Sequence, residues 1–227
     1  MLKFDKVTKH FGTGYEALTD VDLEIEPSEF VFIIGPSGAG KTTLLKLITK
    51  ELTPSSGSIY FGDWDLVNLP SSYIPQLRRR VATVFQDFRL LTDRTVRENV
   101  ALTLEVLGQK VEDIQEDVNQ ILEMVGLAGK GETFPSQLSG GEAQKVVIAR
   151  ALVAKPEVIL ADEPTGNLDL GTARSIMKLL EDINKAGTTI MMATHNADLV
   201  NEMEKRVIRL DKGRVTSDRK KGKYKDD

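Results

Sequence analysis

The unbroken apolar run Phe30-Val31-Phe32-Ile33-Ile34 leads directly into Gly35-Pro36-Ser37-Gly38-Ala39-Gly40-Lys41-Thr42, and Leu44, Leu45, Leu47, Ile48 and Leu52 follow at helical spacing. A short run without a polar break predicts a strand buried on both faces, as in a parallel sheet sandwiched by helices. The octapeptide fits G-x-x-x-x-G-K-[ST], the phosphate-binding loop. Glycines let backbone N–H groups turn inward on phosphate oxygens, and the following helix presents its positive N-terminal end. Lys41 then neutralises β/γ-phosphate charge, and Thr42 offers a hydroxyl to Mg²⁺. A glycine-rich turn can match such a pattern by chance. The strand before it and the helix after it supply the confirming context.

The remaining chain predicts an α/β architecture with a mixed sheet, an N-terminal antiparallel β subdomain and a helical subdomain. Strands are expected at Leu2–Val7, Val21–Ile25, Ile59–Phe61, Arg80–Phe85, Val158–Ala161 and Thr188–Ala193. The alternation of Val21, Leu23 and Ile25 marks a half-exposed antiparallel strand. Val207–Leu210 and Arg214–Thr216, joined through Asp211-Lys212-Gly213, read as a closing hairpin. Between residues 87 and 154 the pattern turns helical, with Val111, Ile114, Val118, Ile121, Leu122 and Val125 on one face and Gly126 as the C-terminal stop. At 227 residues the chain lies between one large domain and two ordinary ones, so this stretch is expected to be an insertion into a single fold. The expected division is 1–86 with 155–217 as core and β subdomain, 87–154 as helical subdomain, and 218–227 as a flexible tail.

Two further segments carry chemistry. Val158-Ile159-Leu160-Ala161-Asp162-Glu163 is an apolar strand ending in two carboxylates. In open α/β sheets ligands bind at the carboxyl ends of strands, which puts Asp162 within reach of a phosphate-bound Mg²⁺ and Glu163 within reach of the attacking water. In Leu138-Ser139-Gly140-Gly141-Glu142, Ser139 and Glu142 form a capping box at a helix start. A capping box does not need paired glycines, which weaken a helix, so close approach of an anion to the backbone is the more economical reading.

Phosphate loop, LSGGE and ADEP in this order resemble the ATP-binding subunit of ABC transporters over almost the whole chain. The resemblance implies a P-loop ATPase using ATP and Mg²⁺, working as an ATP-dependent homodimer. Each ATP would lie between Gly35, Pro36, Ser37, Gly38, Ala39, Gly40, Lys41, Thr42 and Thr43 of one protomer and Leu138, Ser139, Gly140, Gly141 and Glu142 of the other. By the same comparison Gln86 touches Mg²⁺ and the attacking water, and Asp169 in Asn167-Leu168-Asp169 belongs to the loop that communicates between sites. His195 resembles the switch histidine on the γ-phosphate. Phe11 stands where the family stacks an aromatic ring on adenine, with Tyr15 as competitor. Ala143 and Lys145 depart from the commoner LSGGEQQR text, and Asn196 stands where Asp is frequent.

Phe85-Gln86-Asp87-Phe88-Arg89-Leu90-Leu91 through Ala101, together with ADEPTGNLD, resemble the cell-division branch of that family. This implies an integral membrane subunit of the FtsX-like kind and, through it, an indirect action on peptidoglycan hydrolases. An exporter or lipoprotein-release ATPase is the alternative, with the same chemistry and another partner. Phe88, Leu90 and Leu91 are the expected partner contacts, as a groove for a short helix. The net charge of −4 argues against nucleic-acid binding by bulk charge, and no apolar run approaches the roughly 18 residues of a membrane span. The absence of cysteine excludes disulfides and thiolate metal sites. The first residues lack a secretory apolar core, so the expected location is the cytoplasmic side of the membrane, peripherally bound.

Overall fold

The computed structural model describes residues 1–12 and 14–224. Among these the strands fall into two sheets. In the smaller, β1 (Leu2–His10) pairs antiparallel with β2 (Glu16–Ile25) and β4 (Ser56–Phe61), while β5 (Trp64–Asp65) extends the edge beyond β4. In the larger, β3 (Phe30–Ile34), β6 (Val81–Phe85), β7 (Val158–Asp162), β8 (Thr189–Ala193) and β9 (Arg206–Asp211) run parallel, and β10 (Arg214–Arg219) returns antiparallel on β9. The order β10-β9-β3-β8-β7-β6 puts β3 inside the sheet and leaves β6 at an edge. This is the mixed sheet expected from the sequence, with the loop that follows β3 at the carboxyl ends of the parallel strands.

The alternation within β3 explains why its sequence is apolar throughout. Phe30, Phe32 and Ile34 join a core shared with the helices, whereas Val31 and Ile33 join a core shared with the antiparallel sheet and α1 (Lys41–Ile48). Every β3 side chain is therefore withdrawn from water, each contributing roughly 1.5–3 kcal/mol of apolar burial. The first core also receives α3 (Val96–Val106), α4 (Val111–Met124), α5 (Gly140–Leu152), α6 (Leu170–Lys185) and α7 (Ala197–Met203). On α4 the buried Ile114, Val118, Ile121 and Leu122 are the apolar face read from the sequence, and Gly126 follows its end at φ +73. Among the described residues no helix is long and apolar enough to cross a membrane.

Strands β1, β2, β4 and β10 run three to five residues longer than expected, and two segments differ in kind. The helix α2 (Ile74–Arg80) occupies the approach to β6, so the strand starts at Val81 rather than Arg80. Residues 218–224 do not form a loose tail. Asp218 and Arg219 complete β10, and Arg206 grips the Asp218 carboxylate at 2.8 and 2.6 Å while also holding Glu29 at 2.9 Å. Tyr224 then packs on the helical core, its N–H donating to Asn201 Oδ1 at 2.8 Å. These partners are far away in sequence, so the local charge run concealed them. Residues 225–227 of the expected tail lie outside the described residues.

Gly35 joins β3 to the phosphate loop at φ +146, where an added Cβ would lie 2.0 Å from the Leu210 carbonyl oxygen on β9. Gly35→Ala is therefore expected to cost about 2 kcal/mol or more, read as a fall in thermal midpoint of several degrees. An unchanged midpoint would show that β9 yields at this point.

Candidate active site

The loop between β3 and α1 is shaped by Gly35, Gly38 and Gly40, all at positive φ, and by an Ala39 N–H bond to the Pro36 carbonyl. The β9–β10 turn supports it from behind: Gly213 donates to Ala39 O at 3.2 Å and accepts from Thr19 N at 2.8 Å. Lys41, first residue of α1, folds back over the loop and donates to the carbonyls of Gly35 and Pro36 at 2.8 and 3.0 Å. A cleft of about 270 Å³ results, lined by residues 37–43, Tyr15, Asp162 and Glu163. The structure thus brings together the loop and the carboxylates after β7.

Asp162 ends β7 in register with Phe85 of β6 and Ala193 of β8. Burial raises its carboxyl pKa, and a hydrogen bond from Thr42 opposes that rise. A cation beside Asp162 and the Thr42 hydroxyl would remove the penalty on ionisation. Among the described residues no cluster of three or more His, Asp or Glu could hold a metal. Two oxygen ligands with the rest of the shell supplied by phosphates and water suit Mg²⁺ arriving with a nucleotide, so the residues present fit this ion.

Glu163 is held differently. Its backbone lies at φ +51, its N–H donates to Ala193 O at 2.9 Å, and its Oε1 sits 2.7 Å from His195 Nδ1. A carboxylate only accepts, so Nδ1 carries the hydrogen and Nε2 remains for another partner. The His195 side chain is exposed while that of Glu163 is largely covered. An acid turned out of a β-strand by a left-handed residue and oriented by an exposed imidazole at the mouth of a phosphate cleft can polarise a water there.

Gln86 follows β6 and donates from Nε2 to Asn167 Oδ1 at 3.1 Å. Gly166 permits this approach, since a Cβ there would lie 2.9 Å from the same Nε2. Asp169 caps α6 by accepting from Thr172 N at 3.0 Å, and hydrogen bonds from Thr172 hold its carboxyl below the usual range.

At the start of α5, Ser139 accepts from Glu142 N at 3.3 Å while its own N–H donates to Glu142 Oε2 at 2.9 Å, the reciprocal box read from the sequence. The Ser139 bonds lower the Glu142 carboxyl pKa, with help from Lys130. The glycines have a second reason that the sequence concealed: a Cβ on Gly141 would lie 2.4 Å from Thr172 Cγ2. Ser139 and Gly140 are exposed and Leu138 is half-buried, yet none of residues 138–142 lines the phosphate cleft of their own chain.

The aromatic ring at the cleft is Tyr15, whose hydroxyl donates to Gly38 O at 2.7 Å. Phe11 does not line the cleft and instead stacks on Tyr15, ring centroids 6.5 Å apart and planes within 17°. A turn in which Phe11 N–H donates to Tyr15 O produces that placement. Of the three expected partner contacts, Phe88 and Leu90 pack against the helical core and only Leu91 is exposed. Asn99 on α3 fixes that turn, accepting from Leu91 N at 2.8 Å and donating to Leu91 O at 3.0 Å. A separate cavity of about 340 Å³ runs along the β6 edge, between Arg78, Arg79 and Phe85 on one side and Thr103, Arg150 and Ala151 on the other. No sequence signal identified it, because its walls come from four elements.

Residues 18–166 match the family described as ABC transporter. Over 224 residues the chain is 47% identical to the cell division ATP-binding protein FtsE of Bacillus subtilis, covering 99% of this chain and 98% of that one. The protein of the same name from Mycobacterium tuberculosis is 48% identical over 225 residues, with 99% and 98% covered. Among solved structures, the ATP-binding cassette MJ0796, dimeric in a post-hydrolysis state with ADP and Pi, superimposes with a TM-score of 0.87 at 36% identity over 98% of this chain and 99% of that one. cbiO1 of Clostridium perfringens, part of the ABC transporter complex cbiONQ, gives a TM-score of 0.90 at 31% identity over 96% of this chain and 88% of that one.

Proposed function

This chain belongs to the ABC transporter family and hydrolyses ATP with Mg²⁺ as cofactor, and we propose that two copies do so together as the cytoplasmic engine of a membrane complex in cell division. The observation that carries the two-copy reading is the separation within one chain. The phosphate cleft holds Lys41, Asp162 and Glu163, whereas the exposed Ser139–Gly140 end of α5 lies outside it. At about 270 Å³ the cleft is smaller than the roughly 300–1,000 Å³ common for small-molecule sites, which supports a reading in which a second copy covers the rest of the nucleotide. A second copy would supply its helix N-terminus, with Leu138, Ser139, Gly140, Gly141, Glu142 and Asp169, to the uncovered phosphates.

In this reading the loop amides of residues 35–43 and Lys41 bind the triphosphate, and Thr42, Asp162 and Gln86 hold Mg²⁺, which draws charge from the β/γ-phosphates. Glu163 polarises the attacking water. His195, oriented through Nδ1, turns Nε2 toward the γ-phosphate. The Phe11–Tyr15 pair forms the platform for adenine, with ring faces suited to stacking. Because Gln86 is bonded to Asn167, displacement of either loop is felt by the other. Residues 87–154 then act as a helical subdomain that moves relative to the 1–86 and 155–217 core.

The names of the relatives support an FtsE-type role. The partner is accordingly an FtsX-like membrane subunit, which places this chain peripherally at the cytoplasmic face and links its cycle indirectly to peptidoglycan hydrolases. Phe88 and Leu90 pack on the helical core, and the exposed Leu91 presents its side chain to that subunit. Leu91→Asp is expected to reduce co-purification with the FtsX-like subunit by about tenfold while leaving the thermal midpoint unchanged. Intact co-purification would move the contact to the cavity beside β6.

A further inference from the structure

Arg150 interrupts an otherwise apolar stretch of α5, and among the described residues no carboxylate pairs with it. Its guanidinium instead donates from Nη1 to the Arg89 carbonyl at 2.8 Å and from Nη2 to the Phe88 carbonyl at 3.1 Å. Partial burial without a compensating anion lowers its pKa. A cation in such a place is a poor stabiliser compared with an apolar side chain of the same volume. Its contribution is geometric: a planar fork holds two successive carbonyls from two nitrogens in one fixed orientation, whereas an ammonium meets them from a single nitrogen on a flexible stem.

Those carbonyls belong to the segment immediately after Gln86. That segment carries a left-handed residue, Arg89 at φ +49, whose guanidinium lies 3.8 Å from the Phe85 ring centroid. On the other side, Thr103 of α3 donates to the Arg150 carbonyl at 3.2 Å, so this end of α5 is fixed to its neighbour. A helix transmits displacement along its axis as a rod, and the opposite end of α5 carries Ser139, Gly140 and Gly141.

We propose that Arg150 is a positioning residue for ATP hydrolysis, tying the segment behind Gln86 to the helix that presents Ser139–Gly141, so that Gln86 moves into and out of place with that helix. The inference rests on the reading of Gln86 as a residue of the hydrolytic site. The cavity that Arg150 lines leaves room for an unbranched replacement.

The test is a double-mutant cycle on the full chain with Mg·ATP, using Gln86→Ala, Arg150→Met and Arg150→Lys. Arg150→Met is expected to lower kcat about tenfold with KM for ATP and thermal midpoint nearly unchanged, and Arg150→Lys to recover only part of the loss. On the Gln86→Ala background the same substitution is expected to lower kcat by less than about twofold, because the group it positions is gone. A full tenfold loss on that background overturns the proposal, as does a loss that follows the thermal midpoint. If Gln86→Ala alone leaves kcat unchanged, the reading of Gln86 fails and the positioning role with it. Should Arg150→Met not fold, the cycle with Arg150→Lys decides by the same criterion.

Discussion

Glu163→Gln is expected to lower the ATPase rate by about 10³-fold, or about 4 kcal/mol in barrier, while ATP affinity stays within about twofold. The substitution preserves shape: an amide oxygen still accepts from His195 Nδ1 at the position where Oε1 lies 2.7 Å away. The left-handed backbone at residue 163 and its bond to Ala193 O are also retained. What disappears is the negative charge that polarises water. Parallel measurements of steady-state phosphate release and binding of a fluorescent ATP analogue separate the two effects. Turnover near the unsubstituted rate would remove Glu163 from the reaction and leave its bond with His195 as architecture.

Lys41→Ala should act on the other quantity. Its Nζ is poised over the loop by the carbonyls of Gly35 and Pro36, beside the cleft that joins the loop to both Asp162 and Glu163. Loss of a charge-assisted contact to a triphosphate in a partly desolvated cleft costs on the order of 2–5 kcal/mol. Nucleotide affinity is therefore expected to fall by roughly 10²-fold or more, with the fold intact because α1 is buried through Leu44, Leu45, Leu47 and Ile48 rather than Lys41. Unchanged affinity would mean that the backbone amides alone bind the phosphates.

The parts of this molecule legible in its sequence are those where chemistry and fold share one local pattern. Phe30–Ile34 reads as a doubly buried strand because both faces must be apolar, and its two cores accept alternate side chains as that pattern requires. Ser139 and Glu142 announce a helix start because the cap is completed within four residues. Asp162 and Glu163 stand out because two acids after an apolar strand are conspicuous. By contrast, α2 is short, has Pro75 near its start and ends in three arginines, so it has little apolar periodicity to detect. Whether Phe11 or Tyr15 faces the cleft depends on the turn between them, and the choice of Leu91 over Phe88 and Leu90 depends on how α3 and α5 meet. Arg150 was visible as a charge within an apolar stretch, but its partners lie 61 and 62 residues away. Gly141 shows a pattern whose packing cause the sequence concealed, since a Cβ there would lie 2.4 Å from Thr172 Cγ2.

In the proposed assembly one chain holds half of a catalytic site and ATP brings the other half from a second copy. Sedimentation equilibrium of the Glu163→Gln chain with Mg·ATP tests it most directly, because bound ATP is then not consumed. The expected result is a species of twice the monomer mass that reverts to monomer when ATP is replaced by ADP. A monomer at saturating ATP, with ATP demonstrably bound, would contradict the claim.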